Sequence, residues 1–115
     1  MAKLLSVVET AAYLGKAAKL MSDADRAAIV DMIAATPQMG VLIRGTGGLR
    51  KMRITLPGRG KRGGGRVIYW FHSERHPAVL LWAFAKNEAS DLTAEQRARL
   101  MKVADALLAD FGAGE

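Results

Sequence analysis

One segment constrains the fold of this chain more than any other: Gly58-Arg-Gly-Lys-Arg-Gly-Gly-Gly-Arg66, lying between two runs with strand character. Upstream, Leu49 to Leu56 alternates Leu49, Lys51, Arg53, Thr55 against Arg50, Met52, Ile54, Leu56, which predicts a strand with a basic face after Leu49 and a largely apolar one behind it. Downstream, Val67-Ile-Tyr-Trp-Phe71 is β-branched and aromatic, the composition of a strand. Glycines give the intervening segment the backbone freedom of a turn, so it reads as a hairpin connection. Its match to G-x-G-x-x-G is incidental, because that fingerprint must be followed by a helix whose N-terminus receives the pyrophosphate. A phosphate-binding Walker loop is excluded too, since Lys61 is followed by Arg62 where Ser or Thr is needed for magnesium.

Charge is segregated along the chain. No acidic residue occurs from Met32 to Ser73, whereas Arg44, Arg50, Lys51, Arg53, Arg59, Lys61, Arg62 and Arg66 all fall there, and the net charge is +6. Ordinary solvated loops mix signs for solubility, so this pattern favours a site for a polyanion. The absence of cysteine excludes disulfides, thiolate metal sites and a cysteine nucleophile, and fits a reducing cytoplasm. The 115 residues suit a single domain spanning 1–115. The apolar run after Met1 is too short for a signal peptide, and no run is long enough to span a membrane. A cytoplasmic, soluble domain is expected.

Helical spacing of Tyr13, Leu14, Ala17, Ala18 and Met21 predicts a helix over Thr10–Met21, and Lys3–Val8 reads as a short strand or as the start of that helix. Ser22-Asp-Ala-Asp25 resembles a capping box opening a second helix, which Pro37 closes. Gly45-Thr-Gly-Gly48 is a turn, Val67–His72 and Val79–Ala85 are strands, and Thr93-Ala-Glu-Gln96 caps an amphipathic C-terminal helix. The expected class is α+β: an antiparallel sheet of three to four strands with two N-terminal helices and a C-terminal helix. In such a sheet Arg53 and Arg66 approach one another across the hairpin, and with Lys51 they can converge on one phosphate.

The blocks "RGTGGLRKMRI", "GRGKRGGGRVIYWF" and "AKNEASDLTAEQRARL" together resemble the HigB branch of the RelE/ParE superfamily of type II toxin–antitoxin toxins, from about Val8 to Leu107. The resemblance implies a microbial-ribonuclease-like fold, cleavage of mRNA in the ribosome, and inhibition by a cognate antitoxin, often with a helix-turn-helix domain. Residue by residue, Lys51 and Arg53 match two basic residues one apart on a strand, and Arg66 matches an arginine opening the next strand. Lys86 stands where basic residues follow the last strand, and Asn87 occupies what is often an arginine. A tyrosine or histidine found late in related sites has no counterpart in Ala89-Ser-Asp-Leu-Thr93.

The chemistry needs no cofactor: the ribose 2′-hydroxyl attacks the adjacent phosphate, and protein cations hold the added negative charge. Arg66 is expected to take the non-bridging oxygens and Lys51 and Arg53 to position the phosphate, with the general base open among Lys51, Lys86 and Glu88. Glu88 could instead form an ion pair with Lys86 or Arg97. Arg50, Arg59, Lys61, Arg62 and Asn87 are candidate RNA contacts, and Tyr69 is the first candidate for stacking on a base. His72 and His76 flank a turn with no ligand partners and read as surface residues rather than a metal site. Two other classes stay open: a non-catalytic RNA- or DNA-binding module, and a gyrase poison of the ParE kind. A helix-turn-helix protein encoded next to this chain would favour the toxin over a plain binding module.

Overall fold

Two capping boxes set the helix starts. The Ser22 hydroxyl accepts from the Asp25 amide (3.1 Å) while the Asp25 carboxylate accepts from the Ser22 amide (3.1 Å). The Thr93 hydroxyl and the Gln96 side chain make the same reciprocal pair (3.0 and 2.9 Å). In the computed structural model, which describes residues 4–56, 64–89 and 91–112, the elements run β1 (Val7–Glu9), α1 (Ala11–Ala17), α2 (Asp23–Ala35), β2 (Val41–Leu42), β3 (Leu49–Ile54), β4 (Gly65–Trp70), β5 (Ala78–Ala85) and α3 (Ala94–Gly112). Helix α1 stops short of Met21 because Ser22, as the cap of α2, takes an extended conformation (φ −77°, ψ 169°) that cannot continue a helix.

The strands form one sheet in the order β1-β5-β4-β3-β2. The antiparallel meander of β3, β4 and β5 is as expected, but the sheet has five strands, one more than the upper expectation. The short β2 extends one edge antiparallel to β3, and β1 pairs with β5 in parallel at the other, which makes the sheet mixed. Elements of two and three residues are too short for alternation to reveal them.

Helices cover both faces, giving three layers. Tyr13, Ala17, Ile29 and Ile33 pack on Met52, Ile54, Val67, Tyr69 and Leu80 from one side. From the other, Leu100 and Ala104 pack on Leu49, Ile68, Trp70, Val79, Leu81 and Phe84. Burying each large apolar side chain in these cores is worth roughly 1.5–3 kcal/mol. The turn ahead of β3 requires its glycines: Gly45, Gly47 and Gly48 have φ of 75°, 70° and 117°. It docks on α3, where Arg97 donates to the Arg44 carbonyl. Among the described residues no helix is long and apolar enough to cross a membrane.

Candidate nucleic-acid site

The pleat decides which cations meet. Leu49, Ile68 and Trp70 belong to the core under α3, so period-two alternation carries Lys51 and Arg53 of β3, and Arg66 of β4, onto that same face. The ladder sets Lys51 opposite Ile68 and Arg53 directly opposite Arg66. Arg53 is exposed, and Lys51 and Arg66 are half-buried. Across the next ladder Arg66 faces Phe84, which is buried and floors the site. The Arg66 guanidinium donates to the Gly65 carbonyl (3.0 Å), which turns it toward the end of the sheet.

The turn after β5 comes to the same end. The Lys86 amide donates to the Gly64 carbonyl (2.9 Å), which places the exposed run Lys86, Asn87, Glu88 beside the start of β4. No ion pair joins Glu88 to Lys86 or Arg97 among the described residues. A residue the sequence reading left unassigned joins the group: Asp91 stands 3.5 Å from the Lys51 ammonium, and its other oxygen accepts from the Leu92 amide (2.8 Å). Its signal was an acid next to a cation-rich strand, legible only once the turn before α3 is placed on that strand.

Two candidates are corrected. Tyr69 is fully buried on the opposite face, where its hydroxyl accepts from the Gly40 amide (2.8 Å) and donates to the Pro37 carbonyl (2.7 Å), so it cannot stack on a base. Burial pushes its hydroxyl pKa above the ordinary tyrosine value. The approach is so close that a Cβ at Gly40 would stand 2.8 Å from the ring. Arg50 points to that face as well, donating to the carbonyls of Gln38 (3.2 Å) and Gly40 (2.8 Å) and lying 5.9 Å from the Phe71 ring centroid, so it secures the approach to β2 and stands apart from the other cations. Arg59, Lys61 and Arg62 fall in 57–63, outside the described residues.

His76 is also corrected, since only 8% of it is exposed. It stacks with Phe111 (5.4 Å between centroids) and with His72 (5.9 Å), and Trp70 completes the group beside His72 and Phe111, so both histidines help seat the last turn of α3. His72 is exposed as expected. No group of three His, Cys, Asp or Glu suited to a metal occurs among the described residues.

Two arginines directly opposite on neighbouring strands are unfavourable for the free protein. With Lys51 on the same face and the Lys86–Glu88 turn alongside, they form a cationic patch able to receive a phosphodiester bidentately. A family model, the RelE toxin of the RelE / RelB toxin-antitoxin system, matches residues 27–112, which includes every element from α2 to α3. With the α+β fold and this patch, the chain belongs to the RelE toxin family.

Proposed function

We propose that this toxin is an mRNA endoribonuclease of the HigB kind that acts on translating ribosomes in the cytoplasm and is held inactive by a cognate antitoxin with a helix-turn-helix domain. The observation that carries this reading is the opposed pair Arg53 and Arg66 with Lys51 on the same face. Such a pair is unfavourable alone and becomes favourable when a phosphate sits between the guanidinium groups. A polyanion held at the end of a sheet, beside an exposed carboxylate and lysine, is positioned for cleavage as well as for binding.

In the proposed step the 2′-oxygen attacks phosphorus as the Glu88 carboxylate takes its proton, since a carboxylate accepts a proton without first losing one. Arg66 and Arg53 hold the non-bridging oxygens, whose negative charge grows in the transition state, and Lys51 orients the phosphate. The P–O5′ bond breaks, Lys86 protonates the departing oxygen, and the products are a 2′,3′-cyclic phosphate and a 5′-hydroxyl end. No metal enters this step.

The test is induction of the chain without its antitoxin. Protein synthesis should stop before DNA synthesis, with new transcript 5′ ends inside reading frames and bearing hydroxyls. Early arrest of DNA synthesis with intact transcripts would assign the chain to gyrase poisoning. Binding of RNA with no new ends would leave it a non-catalytic module.

A further inference from the structure

A second feature lies away from the cationic patch. The ladder pairs Ile68 with Trp82 but Tyr69 with Leu80, so Leu81 is an extra residue in β5. The bulge turns both Leu81 and Trp82 toward the α3 side, where alternation would allow one. With Ala12, Leu100 and Val103 they line a groove of about 360 Å³ between α3 and the β1–α1 corner. Val103 is 42% exposed there, and Val8 on the neighbouring edge strand is 44% exposed.

The chemistry of the groove restricts its occupant. Its polar groups are largely committed: the Thr10 hydroxyl donates to the Leu80 carbonyl (2.7 Å) and accepts from the Tyr13 amide, and the Gln96 carbonyl oxygen accepts from the Thr93 amide. A nucleobase would find few partners for its edge, whereas aliphatic side chains would lose nothing by burial. None of the lining residues is acidic, while Arg99 lies on the rim and the Lys16 ammonium stands 5.2 Å from the Trp82 ring centroid. Neither cation forms an ion pair among the described residues. Gln96, Arg99, Leu100 and Val103 present about two turns of α3, the length over which a second helix packs with anchors at i, i+4 and i+7.

We propose that this groove receives an amphipathic helix of the cognate antitoxin, with aliphatic anchors facing Trp82, Leu100 and Val103 and carboxylates facing Arg99 and Lys16. The antitoxin's existence rests on the family assignment, and the docking surface rests on the groove. Helix α3 separates this surface from the patch: Arg97 faces the β2–β3 turn, whereas Arg99 and Val103 face the groove. The bound antitoxin therefore leaves Arg53 and Arg66 uncovered and silences the toxin by excluding it from the ribosome through bulk.

The experiment titrates the product of the adjacent antitoxin reading frame into the native chain by calorimetry, and then into Val103→Glu, Ala12→Glu and Met39→Glu, with thermal melts confirming the fold of each. The first two are expected to weaken binding by at least about tenfold, because each sets an unpaired carboxylate against apolar anchors. Met39→Glu, on the exposed apolar stretch before β2, should bind as the native chain does. Arg99→Gln should reduce the salt dependence, and the complex should still bind a short RNA in a salt-dependent way. Near-native affinity of Val103→Glu and Ala12→Glu would overturn the groove assignment while leaving the family partner intact. No binding by the native chain would overturn both. A dimer of the isolated chain that Val103→Glu abolishes would give the groove to a second copy, again overturning the proposal.

Discussion

Replacing Arg53 by threonine should make this protein more stable and less active. Arg53 and Arg66 face each other on neighbouring strands, at a Cα separation of about 4.5–5.5 Å in either kind of antiparallel pair. Like charges so placed are destabilising, and cross-strand pair terms run at roughly 0.2–1 kcal/mol. Two unit charges about 6 Å apart in water repel by roughly 0.7 kcal/mol before screening, so relief of about 0.5 kcal/mol is expected. Threonine suits an exposed strand position, so no loss of strand propensity offsets the gain. For a chain of this size the midpoint of thermal unfolding should rise by about 2 °C. In 1 M salt the Debye length falls to about 3 Å, and the difference between the proteins should vanish. Cleavage should meanwhile drop by about ten- to a hundredfold, the worth of one charged hydrogen bond to the phosphate. The assay is paired: calorimetric melts of both proteins at low and high salt, and initial rates on ribosome-bound mRNA. A lower melting temperature for Arg53→Thr, or a gain that persists in 1 M salt, would refute the reasoning.

The two buried tyrosines should respond oppositely to removal of their hydroxyls. Tyr69→Phe leaves the Gly40 amide and the Pro37 carbonyl without their partner, and should cost about 2 kcal/mol in urea unfolding while leaving cleavage by the folded protein intact. A stable Tyr69→Phe that had lost RNA binding would restore the stacking role. The Tyr13 hydroxyl is buried with no partner among the described residues, so Tyr13→Phe should be neutral or stabilising by up to about 1 kcal/mol, and a clear loss in the same assay would contradict this. Burial, reinforced by Glu9, pushes the Tyr13 pKa up to about 12 from 10.0. Unfolded chains then release this proton first, so its stabilising contribution is whole below about pH 10 and is lost as pH rises toward 12. Tyr13→Phe should flatten the alkaline fall in melting temperature, and an unchanged fall would show that Tyr13 does not cause it.

The longer elements could be read from the sequence because each repeats a period several times: β3 by alternation, α3 by its helical stripe and capping box. Strands β1 and β2 repeat nothing, and β1 is recruited by β5 across most of the chain. The bulge at Leu81 was hidden because Val79 to Ala85 is apolar throughout, so a change of face leaves no trace in polarity. The basic face of β3 followed from spacing alone, and with it the meeting of Lys51, Arg53 and Arg66. Arg50 and Tyr69 were misjudged for one reason: residue type suggested RNA contacts, whereas the pleat turns both toward the opposite face. Arg50 shares the apolar side of β3 with Met52, so alternation already contained its answer.

The most direct measurement of the central claim is single-turnover cleavage of mRNA on programmed ribosomes by the native chain and by Arg66→Ala, with ribosome affinity measured in parallel. Arg66 is assigned to charge that develops as the 2′-oxygen attacks, so its removal should slow cleavage by about 10²–10³-fold while affinity stays within about threefold. Near-native cleavage by Arg66→Ala would contradict the account, because the arginine facing Arg53 would then have no part in the chemistry.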